Sequence, residues 1–558
     1  MTGATPPGDA VAGTAWSPLG YQTFRSRWLA SIVSNIGTWM QDTAATWLMT
    51  ILTGSPLLIA LMQTAASLPV LVFGLPAGAM ADILDRRKVL LFWQTWMLAA
   101  AVLLSALTVG PGIGPWMLLG LTLLLNVGAA MNNPAWQAIV PELVPREELA
   151  GAISLNSAGY NLARAAGPAL GGLVVAAFAT VAVGAGAVFF LNALSFVFVI
   201  GVLFAWNRRP LHTSALPAER LVGSIRAGMR FVRHDATTRG ILVRTIAMTG
   251  GVSAMWALLA VVAQQDLRRG ALGYGLLNAS IGAGAVGGAM LLPRIRRAVP
   301  ANTLVTASTA VFAGVLLVMA FSRSITVVVI ALLAAGVAWT TTTSSFNIAV
   351  QISAPPWVQA RVLGMYQMTF HAGMAIGSAV WGALAERTTT PDALMAAAAA
   401  LVVTLPLSRR HPLLAATRDL SSAAQARALN RSAPTVVIEL EPDDGPVMIS
   451  VDYQIEPADA AAFARAIHAL RAIRLRDGAV RWGLFQDAAN ESHYVETFLV
   501  DSWAEYLRQR ERMTMSDHEV RDRVYAFQRG PIPPPVSRMI YTPTPGPAPV
   551  GVNVEGDA

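Results

Sequence analysis

The chain has 558 residues, of which 54% are hydrophobic and only 13% charged, with a mean hydropathy of +0.52, which excludes an ordinary water-soluble enzyme. Its 46 glycines, 33 prolines and 15 tryptophans lie in long apolar runs, as suits packed membrane helices. The absence of cysteine removes any disulfide framework, thiolate metal site or cysteine nucleophile.

A spanning helix takes about 20 mostly apolar residues, and twelve such runs follow in chain order. After a flexible N-terminus over 1–20, six fall at 27–52, 57–81, 88–110, 115–140, 151–178 and 181–206, giving a first bundle over 21–206. The first run begins near Arg27, exceeds a signal-peptide core and has no small-residue cleavage site ahead of it, so it is expected to be retained. A charged central loop over 207–238 precedes six more runs, at 240–263, 272–293, 301–321, 325–350, 361–385 and 391–408, in a second bundle over 239–411. A linker over 412–434, a folded domain over 435–531 and a disordered tail over 532–558 complete the order.

Charge sets the expected orientation. The first 410 residues carry 25 Arg/Lys against 12 Asp/Glu, the remaining 148 carry 15 against 20. Arginines and lysine gather in alternate loops, at Arg86, Arg87 and Lys88, at Arg146, in the central loop, at Arg294, Arg296 and Arg297, at Arg361, and at Arg409 and Arg410. By the positive-inside rule that side is cytoplasmic, which places both termini inside the cytoplasmic (inner) membrane. The basic excess is confined to loops and forms no continuous face, so no nucleic acid partner is expected.

Shifting the sequence by 210 residues lays Gly78, Ala79 and Met80 on Gly288, Ala289 and Met290, Arg86 and Arg87 on Arg296 and Arg297, and Pro145 on Pro355. Gly167 and Gly172 fall on Gly377 and Gly382 under the same offset. Duplicated halves around a central site are a common plan of secondary transporters.

These residues carry a resemblance. The stretch from Gly78 through Asp82 to Arg86 and Arg87 resembles the signature between the second and third helices of the major facilitator superfamily, although Ile83 replaces a basic residue and Asp85 a glycine. The resemblance implies that Asp82 and Arg86 form a cytoplasmic latch that breaks during alternating access. In the fifth helix Gly167, Pro168, Gly171 and Gly172 resemble the antiporter motif of exporter-type facilitators, with Gly159 upstream and Ala163 where glycine is usual. Small residues there permit close helix contact, and proline frees a backbone carbonyl. The whole pattern looks like the enterobactin-exporter-like branch, which implies efflux and leaves siderophores, drugs and other secreted metabolites open as cargo.

Ionisable groups within the spans are expensive and therefore point to mechanism. Asp42 is read as the proton-binding acid and Arg164 as its modulator or the anchor of an anionic cargo, a structural ion pair being the alternative. A histidine titrates near neutral pH, which makes His371 a candidate, but a lone one is more often a packing residue and that reading is preferred. Arg244 is expected to snorkel to the surface. Asn35, Trp39, Gln41, Asn132, Trp136 and Asn347 are expected to shape the cavity, and the hydroxyls of Thr340 to Ser345 to bond to their own helix backbone.

In the tail, Val447 to Tyr453, Val480 to Gln486 and Tyr494 to Val500 read as strands, with helices over Pro457 to Leu475, Asp501 to Arg512 and Asp517 to Phe527. That order resembles ferredoxin-like, dimeric α+β-barrel modules and implies cytoplasmic homodimerisation or regulation. His468, His493 and His518 are scattered without paired carboxylates or a cofactor loop, so neither metal, cofactor nor catalysis is expected. The fold class expected is all-α membrane, a 12-helix major facilitator fold of two pseudo-symmetric six-helix bundles, with a small soluble α+β ferredoxin-like C-terminal domain. The function expected is proton-coupled export of a small organic molecule across the lipid bilayer, the alternative being a membrane-tethered sensor or interaction scaffold.

Overall fold

The computed structural model describes residues 16–110, 112–145, 148–205, 221–355, 357–413 and 440–542, except for the side chains at 79, 82, 83, 141, 150 and 221–225. The helices of the first half are α1 (Gln22–Leu52), α2 (Pro56–Ile83), α3 (Arg86–Val109), α4 (Pro115–Ile139), α5 (Leu149–Ala176) and α6 (Val181–Phe204). A shorter helix, α7 (Leu221–His234), follows, and the second half contains α8 (Ala236–Val261), α9 (Ala271–Ala298), α10 (Ala301–Phe321), α11 (Ile325–Ser353), α12 (Gln359–Arg387), α13 (Thr390–Thr404) and the single turn α14 (Leu407–Arg410).

Local chemistry sets where these helices begin. The Ser55 hydroxyl accepts the Leu58 N–H, with Pro56 at the first position of α2, where its missing N–H costs nothing. Asp85, which stands where the superfamily signature has glycine, caps α3 by accepting from the Lys88 N–H. Thr180 and Thr389 cap α6 and α13 in the same way. The α1 helix starts at Gln22, before the apolar run does, and the Arg27 guanidinium donates back to the Thr23 carbonyl at 2.7 Å, one turn earlier.

Among the described residues nine helices are long and apolar enough to cross a membrane. The three long helices outside that set are α1, α5 and α12, the ones that carry Asp42, Arg164 and His371. Within the first half α1 packs on α5 and α6, α2 on α4, and α3 on α4 and α6. Phe24, Leu90, Ile139, Leu155 and Leu203 form a buried cluster among these helices at their arginine-rich-loop ends. Across the halves the main described helix pair is α5 with α9.

A second compact unit joins the C-terminal domain to Glu219–Arg239 and Ile352–Val362. Its sheet has the order β2-β3-β1-β4, all antiparallel, with β1 (Val447–Gln454), β2 (Arg481–Asp487), β3 (Asn490–Val500) and β4 (Val536–Ile540). Helices α15 (Ala460–Asp477), α16 (Trp503–Arg512) and α17 (Met515–Tyr525) belong to the same domain. Val447, Ile449, Val451 and Tyr453 alternate onto the core face of β1 and pack with Phe463, Ile467, Leu470 and Phe498. Within that core Glu496 is fully buried and accepts from Arg474, Trp482 Nε1 and the Tyr453 hydroxyl. A buried charge with every lone pair engaged is tolerated where an unpaired one is not.

Two sequence expectations change here. The tail from 532 onward, expected to be disordered, contains β4, whose Val536 pairs with Val451 and Ile540 with Val447. Its neighbouring prolines hide a five-residue strand whose side chains are mostly exposed. The segment expected over 207–238 as a charged central loop contains α7, with Ala227 and Phe231 buried and Arg226 and Arg233 exposed. Its helical spacing is masked by its arginines.

On the outer face of the sheet, His493 bridges Asp487 (3.2 Å from Nδ1) and Asp452 (3.2 Å from Nε2). The hydrogen bonds to Asp487 and then Asp452 hold its imidazole above the usual 6.5. A raised histidine pKa stabilises the fold fully below the unfolded value, and that contribution fades as pH climbs through the folded one. Amide exchange of the 481–500 hairpin, corrected for its intrinsic pH dependence, should therefore quicken as pH rises from 6 to 8 in the wild type. In His493→Gln the corrected rate should stay flat.

Candidate functional site

The two halves meet through a cluster of aromatic and ionisable side chains. Arg164, midway along α5, sets its guanidinium carbon 5.8 Å from the Trp39 ring centre on α1 and 5.5 Å from that of Trp339 on α11. One cation thus contacts an indole from each half, an arrangement that stabilises it without an anion. Trp39 also meets Tyr160 edge-on at 6.2 Å. Trp339 is packed in turn by Trp256 (4.4 Å), Phe370 (5.5 Å) and Phe312 (6.5 Å).

Asp42 lies one helical turn beyond Trp39, nearer the Leu52 end of α1 than its start. Nearby, Tyr274 of α9 stacks on Trp47 of α1 at 5.7 Å. Among the described residues no salt bridge joins Asp42 to Arg164. The structural ion pair weighed as an alternative role is therefore not formed. His371 packs against Phe370 at 5.4 Å, with its Nδ1 buried and, among the described residues, lacking a hydrogen-bond partner.

The remaining polar candidates scatter. Gln41 is buried and accepts from Asn192 of α6 at 2.6 Å, so it ties α1 to α6 inside the first half and does not face the centre. Asn35 donates to Ser31 on its own helix. Asn132 receives Gln94 of α3 at 3.5 Å, and Trp136 packs against the cluster around Phe24 and Ile139. Asn347 accepts from Gln351, one turn along α11. Thr343 and Ser345 bond back to the carbonyls of Trp339 and Thr341 as expected, whereas Thr340 reaches across to the Ala285 carbonyl of α9 at 3.0 Å. Arg244, expected to snorkel, is buried and donates to Asn302 of α10 and the His411 carbonyl. A guanidinium with acceptors at hand has no need to reach the surface.

The glycines of α5 have a geometric reason. A methyl group on Gly171 would lie 2.7 Å from the Met40 carbonyl oxygen, and one on Gly167 would strike Trp39 Cβ. On the opposite side of α5, a methyl on Gly172 would lie 2.6 Å from the Ala271 carbonyl oxygen and 3.1 Å from Gly275 Cα of α9. A methyl on Gly275 would lie 2.6 Å from the Pro168 carbonyl oxygen. The motif therefore brings α5 to backbone contact with a helix of its own half and with one of the other. Further cross-half contacts fall at the same ends, away from the arginine-rich loops. Ser55 and the Leu57 N–H donate to Glu386 at 2.8 and 3.3 Å, Thr64 to the Ala375 carbonyl at 2.9 Å, and Gln264 to the Thr50 carbonyl at 3.0 Å.

At the arginine-rich side the expected latch has a different visible partner. Arg86 donates to Glu142 at 2.8 Å and to the Ala138 carbonyl at 2.9 Å, while the Asp82 side chain lies outside the described residues. Glu142 is nearly sealed from solvent and is also attracted by Arg27. Arg87 donates to the Leu203 and Phe204 carbonyls and so closes the end of α6. Gly78 has open space where a Cβ would sit, so no close approach accounts for it. The repeat-related Arg296 donates to Ser345 at 3.1 Å and not to an acid.

Sequence reasoning missed Glu142, Tyr160, Tyr274, Trp256, Trp339 and Phe370. An aromatic in an apolar helix looks the same whether it packs or faces a cavity, and Glu142 lies in a loop whose fold brings it back to Arg86.

The family model described as "Transmembrane secretion effector" matches residues 13–545. The Multidrug efflux pump Tap of Mycolicibacterium fortuitum is 27% identical over 369 residues, covering 64% of this chain and 88% of that protein. Macrolide efflux protein A of Streptococcus pyogenes is 25% identical over 182 residues, covering 33% of this chain and 42% of that one. Among solved structures, the nucleoside transporter NupG aligns with a TM-score of 0.58 at 11% identity over 70% of this chain and 99% of its own. A bacterial homologue of the iron transporter ferroportin in its inward-facing state aligns with a TM-score of 0.54 at 16% identity, over 70% and 98%. At such identities the structures establish a shared fold.

Proposed function

Since the chain belongs to the transmembrane secretion effector family of the major facilitator superfamily, whose members matched here are transporters and not enzymes, we propose that it exports a small organic molecule in exchange for protons. The observation that carries this reading is the cluster around Arg164, where one guanidinium lies against an indole from each half and Asp42 lies a turn away with no ion-pair partner among the described residues. A cargo bound there touches both halves, so its binding and their relative movement are linked. Asp42 is the group that takes up a proton, because a carboxylate in an apolar span is tolerated best when neutral. Arg164 then attracts electron-rich or anionic parts of the cargo, and the surrounding aromatics take its planar or apolar body.

Orientation is part of the same reading. Both termini lie in the cytoplasm on the positive-inside argument, and the cross-half contacts at Glu386, Ala375 and Gly275 then close the outer side. The soluble domain is read as a homodimerisation module, since the outer face of its sheet presents exposed Met448, Phe485 and Met539.

The test is a reconstituted vesicle carrying an imposed pH gradient and a pH-reporting dye. Macrolides, other drugs and siderophore-like metabolites are offered one at a time. At least one should move protons in a protein-dependent way and accumulate against its own gradient. Accumulation that follows a sodium gradient and ignores pH contradicts proton coupling, and no protein-dependent movement of any compound contradicts export.

A further inference from the structure

The second compact unit holds an interface that the transport reading does not use. Arg230 of α7 donates to Glu505 of α16 at 2.6 Å, and the same carboxylate receives Arg512 at 2.6 Å. Arg512 also donates to the Asp477 carbonyl at 2.6 Å and lays its guanidinium 4.6 Å from the ring centre of Trp357. Trp357 meets Phe231 of α7 edge-on at 5.9 Å. Arg476, gripped by Asp477 and Asp517 at 2.7 and 2.6 Å, sits 5.8 Å from the Phe231 ring centre. Three parts of the chain, far apart in sequence, thus close around two aromatic rings and one shared carboxylate.

Several features mark this as a built interface. Phe231 is fully buried, and the Trp357 indole N–H is buried with no acceptor among the described residues, so its ring faces make the contacts seen there. Glu505 is itself largely buried; although that burial opposes its charge, Arg512 and then Arg230 hold its carboxyl below the usual range. Charge-assisted hydrogen bonds within an apolar surround outlast their surface counterparts. Thr238, just past α7, lies within hydrogen-bond distance of Ser353 at the end of α11.

We propose that the soluble domain is a clamp whose partner is this chain's own α7 and 352–362 connection, and that its grip restrains the second half. The covalent connectivity supplies the reason. The α7 helix leads directly into α8, and residues 354–358 join α11 to α12, so the domain holds the lead into one spanning helix and the joint between two others. Those segments cannot shift independently while both are pinned to α15 and α16. Release of the clamp frees them, and a ligand or partner of the domain that competes for Glu505 or the Arg512 guanidinium loosens the second half. This inference depends on neither the cargo nor the coupling ion.

The test uses the full chain in lipid. Trp357→Ala and Arg230→Gln both lie outside the α+β domain, so they remove the grip without touching its sheet. Hydrogen exchange of 226–234 should quicken about tenfold or more in each, as expected when a local opening loses its main contacts, while β1 and β3 keep wild-type protection. Because the chain contains no cysteine, spin labels at Leu84→Cys and Arg297→Cys can report the distance between the halves in the same variants. The distribution should gain a second population comparable to the first. Unchanged exchange at 226–234 in Arg230→Gln shows that no clamp exists. Faster exchange with an unchanged distance distribution overturns the claim that the grip restrains the second half. Both readouts are obtained without transport, so a failure of the export reading leaves them interpretable.

Discussion

Gly172→Val is expected to reduce transport about a hundredfold while leaving the protein folded in the membrane. Overpacking a close contact costs up to about 3 kcal/mol, roughly two decades in a population or rate. Here the obstacle is backbone, since a Cβ at this position would approach the Ala271 carbonyl oxygen to 2.6 Å and Gly275 Cα to 3.1 Å. No side chain can rotate away, so α5 and α9 must separate and the state with these ends together is depopulated. Gly78→Ala is the control, because a methyl group there meets nothing within 4 Å among the described residues, and a substitution that strikes no neighbour shifts an equilibrium by about twofold or less. Both glycines belong to family motifs, yet only Gly172 is required by contact geometry. Flux assays on the two variants, normalised to the amount reconstituted, decide the matter; equal activities show that the seam is not the moving part.

Asp42→Asn should abolish accumulation driven by a pH gradient and spare exchange that needs none. An amide occupies almost the volume of the carboxyl and cannot take up a proton, so coupling is lost while the packing around the position is kept. Preloaded vesicles should thus show counterflow within about threefold of wild type, the spread expected of a conservative change at a site outside the packed core, and uphill transport at the level of empty vesicles. Asp42→Glu, which retains a titratable group, should keep some coupling. Loss of both activities in Asp42→Asn points to a role in cargo binding, and normal uphill transport removes Asp42 from the mechanism.

Much of the fold can be read directly from residue pattern. Long apolar runs can only be spanning helices, since a backbone in lipid must satisfy its own hydrogen bonds, and the repeated arginines reveal the duplication. The chemistry of α5 was equally legible, because Gly-Pro-x-x-Gly-Gly leaves few uses other than close contact. What escaped were features that depend on partners. Glu142 finds Arg86 only after α4 has turned, and Gln41 is drawn to Asn192 by burial that no local pattern records. Arg244 looked like a surface cation because it stands near a helix start, and Asn302 with the His411 carbonyl makes it an interior one. The α7 helix and β4 were obscured by composition, arginines in the first and prolines around the second; α7 still buries Ala227 and Phe231 on one face, whereas β4 is exposed along most of its length and offers no such signal.

Joining the outer ends of the two halves tests alternating access most directly. Ser55 and Glu386 are hydrogen-bonded across the halves at 2.8 Å, and the absence of native cysteine allows Ser55→Cys and Glu386→Cys to be bridged by a short reducible reagent. Once a substrate of the wild type is in hand, bridging should stop its transport in vesicles, and reduction should restore it. Undiminished transport by the fully bridged protein would contradict the account, because the solute would then be crossing without these two ends ever coming apart.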